Sequence, residues 1–413
     1  MYDQIASYLA TEEIVSSHQF GFRKKHSCSH ALLKLIGEVE DNKRNKQSIC
    51  GVFCDLSKAF DTLSHTILLE KLKTIGFTKS AIKLLASYLA EREQIVNYDQ
   101  VTSRAARRGN HGVPQGSILG PLLFNIYVND IQNCTEMKTL LFADDTVLLC
   151  KAKTNNLLQD LANKEFEALA GWFSDNHLVL NAEKTNCLNF TKGSISIKIG
   201  TAQLENIEAN CSIRYLGFDI DRKLAWNSHV TKVRNKIKSV KGMRARVKCQ
   251  LPTKSKLLIY NALIGCHLNY GAMIWMPCLG KVKIKELQTL QNQCIRIVAG
   301  AKYFSHVDPL YKKFGILKVE DIVIMQQVVF AKSLESGTGP ATFHNDFIIR
   351  EVRTIVNPVN MMVQSKLKSR VYEHLTATWN AFSQVIKDST NKTLKNKLKC
   401  DLLKKYKDVQ YVV

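Results

Sequence analysis

Leu140-Leu141-Phe142-Ala143-Asp144-Asp145-Thr146-Val147-Leu148-Leu149 sets two adjacent carboxylates between apolar flanks. The pattern predicts a strand, a tight turn and a second strand over 138–150, with the acids at the tip. Two like charges side by side among apolar neighbours are costly unless a cation lies between them. The hairpin is therefore a candidate metal site. Oxygen-only ligation favours Mg²⁺ over zinc, with Mn²⁺ as the alternative ion. Taken alone, a solvated hairpin tip accounts for the same residues.

Such a site needs a further acid from elsewhere in the chain. Upstream, Ser48-Ile49-Cys50-Gly51-Val52-Phe53-Cys54-Asp55 is an apolar run that ends in a carboxylate. It predicts a buried strand with Asp55 at its C-terminal end, where ligands collect in mixed α/β sheets. A strand-end aspartate beside a hairpin-tip Asp-Asp can hold two Mg²⁺ ions about 3.5–4 Å apart, a spacing that serves in-line phosphoryl transfer. The plainer alternative is that Asp55 caps a turn or a helix.

The chain has 413 residues, enough for two or three domains with cores of their own, and a formal charge of +22. That excess of cations points to a polyanionic partner. It is unevenly placed. Between Asp221 and Glu286 no acidic residue occurs, while Arg222, Lys223, Lys232, Arg234, Lys236, Lys238, Lys241, Arg244, Arg246, Lys248, Lys254, Lys256, Lys281, Lys283 and Lys285 fall inside that interval. Without counter-charges such a run repels itself, which favours a track for a phosphate backbone over an ordinary solvated face. The 12 cysteines contain no Cys-x-x-Cys pair and are expected to be core thiols in a reducing compartment. No secretory leader is expected at the N-terminus. Leu257 to Gly280 lacks charge and is long enough to span a bilayer, but Asn261, His267, Asn269 and Pro277 favour a buried helix plus a turn.

Working outward, residues 1–47 are expected to be mostly helical, 68–89 to form two helices broken at Gly76, and Ile95 to Arg104 a strand pair. Gly109 to Gly120 is a glycine-punctuated loop, followed by helix from Leu122. Leu158 to Leu178 is an amphipathic helix, and short strands are expected at 187–190, 195–199 and 215–220. Val230, Val233, Ile237, Val240, Met243 and Val247 form one apolar helical stripe, with cations on the other faces. Beyond residue 300 the chain reads as helical and basic.

In order along the chain, these motifs resemble the reverse transcriptase domain of a non-LTR (LINE-type) retrotransposon of the jockey/CR1 kind. The resemblance runs from His18 to Gly300. Gln19-Phe20-Gly21-Phe22-Arg23 with Ser27 and Ala31-Leu32 resembles the family's fingers motif. Phe53 to Asp61, with His65, resembles motif A. Gly112-Val113-Pro114-Gln115-Gly116-Ser117, continuing through Leu123-Phe124 to Asn129-Asp130, resembles motif B. Phe142-Ala143-Asp144-Asp145 resembles motif C and Leu180 to Thr185 motif D. Tyr215-Leu216-Gly217 is similar to the primer-grip hairpin. Tyr270-Gly271 with Trp275, then Leu290-Gln291 and Arg296, is similar to the helical thumb and the segment after it. Each motif alone is weak, but the ordered set is specific.

The resemblance implies an RNA-directed DNA polymerase, a nucleotidyltransferase that adds dNTPs to a 3′-hydroxyl with two Mg²⁺ ions. Its implied partners are an RNA template and a DNA primer or target, with no membrane. It implies that Asp55, Asp144 and Asp145 hold the metals and that Phe60 lies under the incoming sugar, excluding a 2′-hydroxyl. Gln115 and Gly116 would lie against the nascent base pair, Lys184 would donate a proton to pyrophosphate, and Arg23 would clamp the triphosphate. Asp61 is expected to organise its loop. The implied fold class is α+β, a right-hand polymerase with palm and fingers over 1–221, a helical basic thumb over 222–300 and a helical basic C-terminal region over 301–413. Relatives carry an endonuclease and the first fingers strands ahead of these motifs, so the chain is expected to be an N-terminally truncated copy. The alternatives are an inactive nucleic-acid-binding remnant and an RNA-dependent RNA polymerase, the latter opposed by Phe60. Nuclear and cytoplasmic location, without secretion, is expected.

Overall fold

The computed structural model describes the chain except residues 100, 105, 108, 200–201, 205–211, 247–250, 353–359, 383–386 and 408–413. Lys248 and Val247 of the basic segment and its stripe lie outside the described residues. Helices and short strands are mixed, and the chain divides into two compact units. The first comprises Met1–Ala31 with Asn45–Ala209, the second Leu32–Arg44 with Asn210–Val413.

The first unit is built on a four-stranded sheet whose central strand is Ser48–Cys54. Cysteine, β-branched and aromatic side chains give that run a body buried on both faces. On one side it pairs antiparallel with Asp145–Ala152, Val52 opposite Leu148 and Cys54 opposite Thr146. On the other it pairs antiparallel with Asn186–Asn189. Lys138–Phe142 completes the order and forms the expected hairpin with Asp145–Ala152. All four strands alternate in direction, as the α+β class expects. A tight hairpin and a return strand need no parallel crossover. Among the described residues the one parallel contact is an isolated bridge from Gln19 to Leu141 at the hairpin's outer edge.

Leu119–Tyr127 and Asn155–Asp175 supply apolar side chains to the core with the sheet. Leu123, Phe124, Leu158, Phe166, Leu169 and Phe173 are buried together with Val52, Leu148 and the thiols Cys50, Cys54, Cys150 and Cys187. Hydrogen bonds with the Cys150 and Cys187 thiols, and then burial, hold the Cys50 thiol well above the usual range, so Cys50 is an inert core group. His65–Thr74 and Lys79–Leu89 form the expected helix pair, with Gly76 at φ +91° between them.

In the second unit, Ser212–Tyr215 and Phe218–Asp221 form a hairpin around Leu216-Gly217, where the strand pattern alone suggested one strand. Asn227–Arg246 follows, burying Val230, Val233 and Ile237 as the stripe requires. Thr253–Cys278 is apolar and long enough to cross a bilayer by composition, but Gly271 at φ +59° breaks it, and Ile264, Leu268, Ile274 and Trp275 are buried within the unit. Lys281–Ala299 and Val319–Glu335 are the other long helices there. The expectation of helix alone beyond residue 300 is corrected by a further hairpin, Phe347–Val352 against Asn360–Ser365. Phe347-Ile348-Ile349 has the aromatic and β-branched character that such a strand favours. Leu32–Arg44 belongs to this unit through Lys34. Its ammonium lies 2.6 and 2.7 Å from the two carboxylate oxygens of Asp346.

Candidate active site

Strand pairing carries the hairpin's acids to the end of the central strand. Phe142 pairs with Asp145, leaving Ala143 and Asp144 as the two-residue turn. Ala143 has φ +56°, in the left-handed region that alanine rarely adopts. The pairing ends with Cys54 opposite Thr146, so Asp55 and Asp145 each stand one residue beyond that last pair. Three carboxylates therefore gather at one end of the sheet, close enough for Asp144 and Asp145 each to feel Asp55.

Their electrostatics record the meeting. Burial first, and then the Asp55 carboxylate, pushes Asp144 above the usual range. Burial, Asp144 and Asp55 together push Asp145 up to about 6. Among the described residues no group of three or more His, Cys, Asp or Glu side chains is placed, as it stands, to hold a metal ion. The donor set nonetheless suits a hard divalent cation: the oxygens are all carboxylate, and their mutual repulsion is what such an ion would relieve.

A short segment just ahead of the strand Asn186–Asn189 holds Asp55 through its backbone. The Asn181 amide donates to the Asp55 carbonyl at 2.8 Å, and the Asp55 amide to Thr185 Oγ1 at 3.4 Å. Thr185 donates in turn to the Asn181 carbonyl at 2.7 Å, and the Lys184 amide to Asn181 Oδ1 at 3.2 Å. This folded turn sets Lys184 Nζ 3.9 Å from Asp55 Oδ1. Both side chains are exposed enough for the pair to be weak, so the ammonium can move toward a bound anion.

Phe60 and Gln115 come together through a second junction. Phe60 lies on the short helix Ala59–Thr62, and its carbonyl accepts from the Val113 amide at 2.8 Å. Gly112 donates to the Leu63 carbonyl at 2.7 Å, and the buried His65 ring meets the Gly112 carbonyl through Nε2 at 2.7 Å. Gln115 donates to Asp61 Oδ2 at 3.0 Å, the organising role expected of Asp61. A Cβ on Gly112 would meet the Asp61 carbonyl oxygen at 2.8 Å, whereas Gly116, at φ +81°, faces open space. The Phe60 ring packs on Phe124 at 4.6 Å and edge-on to the exposed Phe22 at 6.4 Å. One side of Phe60 is therefore core and the other a surface aromatic.

Arg23 is more embedded than a free clamp. Its Nη1 donates to the Ser16 and Gln19 carbonyls, and burial lowers its pKa. The segment it ties down lies along the hairpin. The Phe20 amide donates to the Leu141 carbonyl at 2.8 Å and the Leu141 amide to the His18 carbonyl at 2.9 Å. Gln19 Oε1 accepts from the Ala143 amide at 3.1 Å. Asn125 Nδ2 donates to the Gly21 carbonyl at 2.9 Å. Gln19 and Thr185 fall inside the fingers motif and motif D, where no role is assigned to them, and Asn125 is not singled out at all. A signal existed for Asn125, the one amide in the apolar run Leu122-Leu123-Phe124-Asn125-Ile126-Tyr127, since a buried polar group needs a partner.

A family model described as reverse transcriptase (RNA-dependent DNA polymerase) matches residues 1–220. The chain is 25% identical to "RNA-directed DNA polymerase from mobile element jockey" of Drosophila melanogaster, over 87% of this chain and 39% of that protein. It is 28% identical to "Probable RNA-directed DNA polymerase from transposon X-element" of the same species, over 77% of this chain and 36% of that protein. The chain thus spans under two-fifths of the length of these curated relatives. Among solved structures, apo telomerase from Candida tropicalis aligns with a TM-score of 0.39 at 13% identity, over 81% of this chain and 59% of that one.

Proposed function

The chain belongs to the reverse transcriptase (RNA-dependent DNA polymerase) family, with jockey-like non-LTR relatives, and on that premise we propose that it extends a 3′-hydroxyl with deoxynucleotides on an RNA template. The observation that carries the reading is the gathering of Asp55, Asp144 and Asp145, with two of the three pushed up by burial and then by their neighbouring carboxylates. In this reading Asp55, Asp144 and Asp145 hold two Mg²⁺ ions, with Mn²⁺ as the alternative. When bound, the ions acidify the attacking 3′-hydroxyl and neutralise the triphosphate.

The remaining work falls to the chain. The 3′-oxygen attacks the α-phosphorus, the bond to the β-phosphate oxygen breaks, and pyrophosphate leaves. Lys184, beside Asp55, supplies the proton that the departing pyrophosphate takes up. Phe60, backed by Phe124, cannot retreat into the core, so its ring fills the space a 2′-hydroxyl would need. Gln115, held by Asp61, and the open backbone of Gly116 lie against the nascent pair. Arg23 fixes the 16–23 turn with Nη1 and keeps the rest of its guanidinium for the triphosphate.

The four-stranded sheet is then the palm, with fingers around it in 1–221. The basic helical segment 222–300 is the thumb, and 301–413 a C-terminal region. Exposed Lys236 and Lys238 on Asn227–Arg246 suit a nucleic-acid backbone. Action on genomic DNA, and so in the nucleus, follows from the same reading. Primer extension on poly(rA)/oligo(dT) tests it. Mg²⁺-dependent dTTP incorporation that Asp144→Ala abolishes is expected. Salt-sensitive RNA binding without incorporation would leave only a binding remnant, and ribonucleotide uptake in the same assay would make it an RNA polymerase.

A further inference from the structure

Gln19 is almost wholly buried, 1% exposed, at the outer edge of the acid-bearing hairpin. Its Oε1 accepts two backbone N–H bonds, from Gly21 at 2.8 Å and from Ala143 at 3.1 Å. Both neighbours are donors, so chemistry fixes which end of the amide faces them. Nε2, at the other end, is buried and has no hydrogen-bond partner. A buried amide with one end unsatisfied costs more than an apolar side chain of the same shape. The residue is therefore kept for its oxygen.

That oxygen reaches the one residue between Phe142 and Asp144. Ala143 stands at φ +56°, a conformation that persists only where its surroundings over-determine it. Gly21 backs directly onto it: a Cβ there would collide with the Ala143 nitrogen and meet the Phe142 carbonyl carbon at 2.9 Å. Residues 18–20 exchange backbone bonds with Leu141, and Asn125 fixes the Gly21 carbonyl from the helix Leu119–Tyr127. The strained turn is thus braced on its outer side by His18–Gly21, with Gln19 Oε1 bonded to the turn's own backbone.

We propose that Gln19 is a positioning residue for the Asp144-Asp145 turn, holding the backbone that aims the two carboxylates and so setting how tightly they take a divalent cation. The inference rests on the metal-binding half of the polymerase reading. Gln19→Met keeps the volume and removes the acceptor, which leaves the Ala143 and Gly21 N–H groups buried without a partner. Mn²⁺ binding to the full chain, followed by calorimetric titration, is expected to weaken by about tenfold, the size of one lost buried acceptor. Asp144→Ala, which removes a ligand, identifies the site being read. Leu85→Ala, a core truncation in the helix Lys79–Leu89, provides a matched loss of melting temperature and is expected to leave Mn²⁺ affinity unchanged.

If Gln19→Met does not fold, Asn125→Ala removes the bond to the Gly21 carbonyl more gently and is expected to weaken Mn²⁺ binding in the same direction. Wild-type affinity in the folded Gln19→Met chain, or in Asn125→Ala where that stands in, overturns the proposal. So does an equal loss in Leu85→Ala. A wild-type chain that binds Mn²⁺ at this site and extends no primer overturns the polymerase reading and leaves this one standing. Absence of any Mn²⁺ binding that Asp144→Ala removes overturns both.

Discussion

At Asp145, burial and two neighbouring carboxylates all act in one direction, pushing its pKa up to about 6. The folded chain therefore holds this proton more tightly than the unfolded chain does, whose value lies near 3.8. The sign follows from linkage: the stabilisation is complete below the unfolded value and is lost as pH rises through about 6. Asp145→Asn is expected to raise the metal-free melting temperature at pH 7.5, by about 1 kcal/mol in stability once solvent screening of these half-exposed groups is allowed for. At pH 4.5, only a little above the unfolded value, the gain should shrink to a minor fraction. Thermal melts at the two pH values check it, and an equal gain at both would refute the electrostatic account. Single residues were legible where their chemistry is unusual in its setting. Paired aspartates in an apolar hairpin announce themselves. Gln19 does not, because an amide beside two phenylalanines carries no mark of the backbone it will meet.

The junction between the short helix Ala59–Thr62 and the loop 110–116 shows the same limit among elements. Sequence spacing separated Phe60 and Gln115 by a pair of helices and a hairpin. The structure joins them through Gly112, the Val113 amide and the His65 ring. Two glycines of that loop make opposite predictions. Gly112→Ala combines φ +80° with a contact of 2.8 Å to the Asp61 carbonyl, and is expected to cost about 2–4 kcal/mol and to pull Gln115 from Asp61. Gly116→Ala has the same backbone strain and open space, and should cost about 1–2 kcal/mol. Denaturant melts of the two variants separate them, and equal losses would show that strain alone matters. Helix and hairpin boundaries were readable from apolar periodicity. The hairpin Phe347–Val352 with Asn360–Ser365 was not, because its strands fall among helices and its cross-strand partners are invisible along the chain.

Across the whole molecule, the division into units departs most from chain order. Lys34, only 3% exposed, sits in a helix near the N-terminus and pairs with Asp346, which also accepts from the Tyr372 hydroxyl at 3.0 Å. Gly37 lies against the Tyr372 ring, where a Cβ would meet Cζ at 2.7 Å. Glu40 accepts from the Ser369 hydroxyl and the Arg370 amide, both at 2.8 Å. Lys34→Met leaves a buried carboxylate without its cation and is expected to cost about 3–5 kcal/mol. Adding Asp346→Asn should restore most of it. Circular-dichroism melts of the single and double variants decide, and a double variant as unstable as the single one would deny the pairing its role.

The Lys34–Asp346 pair also has a consequence in time. The two partners lie 312 residues apart, and a ribosome adding about 5–20 residues per second needs many seconds to travel from one to the other. Throughout that interval the helix Cys28–Arg44 has been made while the carboxylate, the tyrosine and the serine it fits have not. The second unit can close only once Asp346 and the residues around it have been made. A nascent chain halted before Asp346 therefore presents chaperones with a lysine-bearing apolar helix and no partner to cover it.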